Sequence, residues 1–126
     1  MHVKRDIENR DDLFTLVRHF YQKLLADESI SYLFTEVAHI DIDTHLPVLV
    51  DFWDMVLFQN DTYRKNALQI HVDLHKMSPL SDVHFKTWLG HFNSTVDELF
   101  TGEKAFIIKQ RALSIATVMQ MKTVHH

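Results

Sequence analysis

The chain has 126 residues, 46% of them apolar and 24% charged, with a formal net charge of −4. That length suits one domain with a real core, the apolar share excludes a disordered chain, and the absence of cysteine excludes disulfides, thiolate nucleophiles, zinc–thiolate sites and iron–sulfur clusters. Two glycines and two prolines are too few for the turns of a β-rich fold or for a glycine-rich phosphate loop, so an all-α fold is expected.

The first helix is predicted over about Asp11 to Ala26, where Leu13, Leu16, Val17, Phe20, Tyr21 and Leu24 recur at three- and four-residue steps. A polar break at Asp27-Glu28-Ser29 leads into a helical turn over Ile30 to Phe34. Asp41 to Thr44 offer N-cap oxygens, and Pro47 is expected in the first turn of the next helix, where its missing N–H costs least. His45, Leu49, Phe52, Trp53 and Val56 then share a face. The polar run Gln59 to Tyr63 ends that helix, Lys65 to Leu74 is expected as a short helix, and Lys76 to Pro79 as a loop. Ser81 is a good N-cap for a long helix lined by Phe85, Trp88, Leu89, Phe92, Val96 and Leu99.

Thr101-Gly102-Glu103 breaks that helix and caps a last one, to about Met121. Its residues Phe106, Ile107, Leu113, Ile115, Ala116, Val118 and Met119 look too apolar all round for an exposed helix. No strand and no dividing linker is predicted. Residues 1–126 therefore read as a single domain with its core at about 10–121.

A negative chain without a basic block is not expected to bind nucleic acid or an anionic membrane. No run approaches the ~20 apolar residues of a membrane span. The polar start, Met1 to Asp12, is unlike a secretory signal, so a cytoplasmic location is expected. No Gly-x-Ser-x-Gly elbow is present, and the acidic residues look scattered along polar faces. Hydrolases, kinases and dinucleotide enzymes have no footing.

Histidine is abundant, at ten residues, of which the terminal His125 and His126 are left out of the argument. His71 and His75 stand four apart, and a pair so spaced can grip zinc, but no glutamate lies between them to act as a base. His84 and His91 stand seven apart; the plain alternative for both pairs is that they are chance spacings or solvent-facing. Glu36 and His39 make one Glu-x-x-His step, whereas a di-metal bundle needs two. More telling are the polar-tipped groups set in apolar stripes: Tyr21 beside Phe20, His45, and Trp88. Buried Tyr and Trp need hydrogen-bond partners. Each could be satisfied separately, but contributions from several helices suggest a lined cavity for a flat aromatic cofactor, with His71 as a metal ligand.

At this point the chain resembles the truncated haemoglobins, specifically their group III branch. The matching stretches are Phe20-Tyr21-Gln22-Lys23, His45 followed by Phe52-Trp53, Leu68 to Leu74, Phe85-Lys86-Thr87-Trp88-Leu89, and Lys109-Gln110-Arg111-Ala112. They occur in family order over roughly Arg10 to Met121, and the absence of a doubled glycine agrees with group III. The resemblance implies an all-α, truncated globin-like two-over-two helical sandwich around haem b. It implies His71 as the proximal iron ligand, Tyr21, His45 and Trp88 on the distal side, and Phe20, Phe34, Leu49, Phe52, Trp53 and Phe85 as apolar wall. Tyr21 and Trp88 would donate to a bound ligand, and His45 would be a third donor or a swinging gate, the gate being expected from its place near a helix start.

The function implied by this resemblance is that of a haem protein binding O2, NO, CO or peroxide, inclined to reactive O2/NO or peroxide chemistry rather than O2 delivery. NO dioxygenase or peroxidase turnover would need an external reductase, because the chain has no flavin or nicotinamide motif. A monomer or weak dimer is expected. The alternatives from other classes are a haem-based ligand store or sensor without turnover, and a haem-free helical metal-binding or interaction domain.

Overall fold

Residues 4–34, 42–58 and 82–124 are described by a computed structural model. Their helices are α1 (Arg10–Ala26), α2 (Glu28–Tyr32), α3 (Ile42–Phe58), α4 (Asp82–Leu99) and α5 (Glu103–Val124). The short helix expected over 65–74, the loop at 76–79, the Ser81 cap and the Glu36–His39 step lie outside the described residues.

Helix α1 starts where Asn9, in extended backbone, accepts the Asp12 amide at 3.0 Å. Acidic Asp11 and Asp12 occupy its first turn and Lys23 its last, each at the helix end whose dipole favours that charge. The joint to α2 is a shared cap. The Asp27 amide donates to the Leu24 carbonyl at 3.3 Å, while the Asp27 carboxylate accepts the Ser29 amide at 3.0 Å. The polar break in the sequence is thus the hinge between two helices.

Helix α3 corrects one expectation. It already runs at Ile42, so Asp43 and Thr44 lie inside it, and Pro47 stands a turn further in than expected. Pro47 is solvent-facing, as is Asp43, whose carbonyl it cannot serve with an N–H. Water can serve that carbonyl instead, which makes proline tolerable there.

Cross-helix contacts fix the topology. Arg10 at the start of α1 grips Asp51 and Asp54 in the second half of α3, and Tyr21 near the end of α1 meets His45 at the start of α3. Those two helices are antiparallel. Lys109 near the start of α5 pairs with Asp97 near the end of α4 at 2.6 Å, and Gln120 reaches back to Asp82 at 3.1 Å. That pair is antiparallel too. The pairs are joined face to face by α1 against α4 and α3 against α5. The core between them includes Leu13, Leu16, Val17, Val50, Phe92, Val96 and Ile108.

Two further expectations change. The acidic residues are not confined to polar faces: Asp12 and Asp54 are buried, each held by an arginine. Arg5 forks onto Asp12 at 2.5 and 2.7 Å and, with the Glu8 amide, holds the carboxyl below its usual range despite burial. The last helix is also not buried all round. Phe106, Leu113 and Val118 are 61%, 48% and 42% exposed, and its buried stripe is Ala105, Ile108, Ala112 and Ala116. Alanine supplies three of its four positions, which lets α5 pack closely on both α4 and α3. Its cap also comes from afar: Asp6 accepts the Lys104 and Ala105 amides at 2.8 Å each. Burial raises the Asp6 carboxyl, but those bonds, the Ile7 amide and the Lys104 charge outweigh it and leave the pKa lowered. No helix among the described residues is long and apolar enough to cross a membrane.

Candidate functional site

The end of α1, the start of α3 and the middle of α4 converge on one aromatic cluster. Helical spacing puts Phe20 and Tyr21 on the buried side of α1, in line with Val17 and Leu24. His45 lies in the first turn of α3, one turn before Leu49, and is half-buried. Trp88 lies one turn before Phe92 on α4. Antiparallel packing of α1 on α3 brings Tyr21 and His45 together, with the phenol oxygen 3.2 Å from His45 Nε2.

Phe92 is the hub. Its ring stacks on Trp88 at 5.7 Å and on Trp53 at 5.2 Å, and meets Phe20 edge-on at 5.1 Å. Phe20 also meets Trp88 edge-on at 5.6 Å and Tyr21 at 5.5 Å. Phe34, just past α2, stands edge-on to Tyr21 at 5.8 Å, and His45 does so at 5.7 Å. Such edge-to-face contacts add roughly 0.5–1.5 kcal/mol per pair beyond area burial, so the rings hold one another in place.

Tyr21 is only 2% exposed. Burial pushes its hydroxyl pKa up, so the phenol stays protonated throughout the physiological range. A phenol has one donor and two acceptor sites, so its contact with His45 leaves it capacity for another partner. An aromatic wall with an imidazole, a buried phenol and an indole at its edge fits a flat, largely apolar cofactor carrying a small polar ligand.

The expected site residues divide accordingly. Tyr21, His45 and Trp88 share this region with Phe20, Phe34 and Trp53. Leu49 is buried in the same core on the His45 face of α3. Phe52 is half-buried and turns its ring edge to Trp53 at 5.1 Å. Phe85 is buried at the start of α4 but outside the main core cluster. His71, and with it His75, lies outside the described residues. His84 and His91 go to separate partners, Tyr32 and Asp27, and no group of three or more metal-ligating side chains occurs among the described residues. Phe92 was expected only as core, although its four-residue spacing from Trp88 could have drawn it into the site.

The fold is similar to that of solved truncated haemoglobins. The group III truncated haemoglobin of Campylobacter jejuni superposes with a TM-score of 0.83 over 96% of this chain and 95% of that one, at 24% identity. The 2/2 haemoglobin of Synechococcus, a cyanomet structure with covalently attached haem, gives 0.70 over 86% and 85%, at 23% identity. The truncated haemoglobin of Tetrahymena pyriformis, in its Fe(III) form, gives 0.69 over 90% and 89%, at 22% identity. The fold is therefore the truncated-globin two-over-two sandwich.

The likeness to group III extends to the sequence. A group 3 truncated haemoglobin of Campylobacter jejuni is 25% identical over 121 residues, 94% of this chain and 93% of that protein. No family model matches. In sequence and fold, the chain is similar to the group III truncated haemoglobins.

Proposed function

We propose that this chain is a haem protein that binds O2 and related diatomic ligands between α1, α3 and α4, with His71 as the iron ligand. The observation that carries this reading is the buried Tyr21 phenol, 3.2 Å from His45 within an aromatic wall, in a truncated-globin fold. Bound haem supplies an iron that holds the ligand and exchanges electrons with it. Under this reading Phe20, Phe34, Leu49, Phe52, Trp53 and Phe85 would be the apolar wall, and Phe92 braces the rings of Phe20 and Trp53.

The polar residues act on the ligand through proton position. With its proton on Nε2, His45 donates to the Tyr21 oxygen and leaves the phenol proton for the ligand. With the proton on Nδ1, Tyr21 donates to His45 and the ligand loses that bond. Trp88 can only donate, so its direction is fixed. A ligand that gains negative charge is held more firmly by both donors, which favours slow release and reaction with NO or peroxide over oxygen delivery. An external reductase would then restore the ferrous state. A non-catalytic ligand store uses the same site, and steady-state NO consumption with a reductant separates the two. The direct test of the reading is uptake of haem b by the purified protein and its reversible oxygenation. An apoprotein that takes up no haem would overturn it.

A further inference from the structure

His84, Trp88 and His91 lie at i, i+4 and i+7 on one face of α4. The two histidines flank the indole and both reach to the corner formed by α1 and α2. His84 Nε2 lies 3.1 Å from the Tyr32 hydroxyl, with the rings 6.0 Å apart. His91 Nε2 lies 2.7 Å from the Asp27 carboxylate. Asp27 is itself fixed, because the same carboxylate caps α2 through the Ser29 amide and hydroxyl. Both ends of α2 are therefore tied to α4, one on each side of Trp88.

The tie bears on both expected donors. Beyond α2 the chain continues into buried Leu33 and Phe34, and Phe34 meets the Tyr21 ring edge-on. Tyr21 stands on α1 less than two turns before Asp27. Between the helices, Phe20 is the bridging ring, in contact with both Tyr21 and Trp88.

We propose that His84 and His91 are positioning residues that clasp the α1–α2 corner to α4 on both sides of Trp88, and so fix the Trp88 indole relative to the Tyr21 phenol. The consequence for ligand retention rests on the haem reading above, whereas the clasp itself does not. The contacts are specific in chemistry: an imidazole against a phenol at one end of α2, an imidazole against a carboxylate at the other.

The test uses the full-length 15N-labelled protein, with the Trp88 indole N–H resonance assigned through Trp88→Phe. His91→Phe keeps a ring and removes the hydrogen bond, His91→Gln keeps a donor, and Tyr32→Phe deletes one oxygen at the other end. The clasp predicts that His91→Phe and Tyr32→Phe each move the indole resonance and speed hydrogen exchange of α2 amides at least several-fold. His91→Gln restores most of both. In the CO- and O2-loaded protein, His91→Phe raises O2 release several-fold, but not further when Trp88 is already Phe.

Unchanged indole resonance and α2 exchange in both hydrogen-bond deletions would overturn the clasp. An O2-release effect that adds in full to that of Trp88→Phe would overturn its action through the indole. If His91→Phe does not fold, Tyr32→Phe decides by the same readouts. If the wild-type protein takes up no haem, the haem reading fails, and the indole resonance with α2 exchange still decides the clasp.

Discussion

Removing the single oxygen of Tyr21 separates its structural role from its proposed role toward a ligand. Tyr21→Phe keeps the ring contacts to Phe20, Phe34 and His45 and deletes one hydrogen bond, 3.2 Å to His45 Nε2. A bond between two neutral groups contributes about 0.5–1.5 kcal/mol net. His45 is half-buried, so water can replace the lost partner, and a value near the bottom of that range is expected. The melting temperature should then fall by only roughly 2–3 °C for a chain of this size. Toward a ligand carrying negative charge, the same hydroxyl should contribute about 1.5–3 kcal/mol. Release of O2 should accelerate roughly ten- to hundred-fold, since each ~1.4 kcal/mol is a factor of ten. Stopped-flow displacement of O2 by CO reads the second quantity and a thermal melt the first. An O2 off-rate within two-fold of wild type would reduce Tyr21 to a core residue with no part in holding the ligand.

Other consequences are as specific. His45→Leu should change the CO association rate more than the O2 dissociation rate, because a half-buried side chain in the first turn of α3 is placed to swing; the opposite pattern would make it a fixed donor. Gly102→Ala should lower stability by about 1–3 kcal/mol or more, since φ is +138° and a Cβ would lie 2.6 Å from Asp6 Cγ. An unchanged denaturation midpoint would contradict that geometry. Asp27 has its carboxyl pushed down from 3.8 to about 2, chiefly by the His91 hydrogen bond. A depressed folded-state pKa stabilises above the unfolded value and is lost as pH falls through the folded one. The stability gap between wild type and Asp27→Ala should therefore be full above pH ~4 and narrow towards pH ~2, where the neutral carboxyl still accepts from Ser29; a gap of unchanged size at pH 2 would contradict the pairing.

Helices were legible wherever the apolar period was clean. The steps Leu13, Leu16, Val17, Phe20 and Leu24 gave α1, and Phe85, Phe92 and Val96 gave α4. That Tyr21, His45 and Trp88 share one aromatic region was legible for a different reason, because each puts a polar tip into an apolar stripe. Local pattern could not supply partners distant in the chain. The cap of α5 comes from Asp6, 98 residues from the Lys104 amide it accepts. The partners of His84 and His91 lie 52 and 64 residues away, so their sevenfold spacing looked like chance. In α5 the apolar pattern misled for a steric reason. Close packing admits Ala105, Ala112 and Ala116 and leaves larger Phe106 and Leu113 in solvent, the reverse of a ranking by hydrophobicity. Phe92 carried only its four-residue spacing from Trp88 as a signal, because a buried phenylalanine at helical spacing looks like ordinary core.

Whether this chain holds haem through His71 is decided by the absorbance spectrum of the purified protein reconstituted with haem, beside that of His71→Ala. Stoichiometric uptake and a histidine-ligated ferrous spectrum are expected in the wild type. His71→Ala should lose haem or that signature, and added imidazole should bring the signature back. A wild-type protein that takes up no haem, or a His71→Ala variant with unchanged spectrum and affinity, would contradict the proposed haem site.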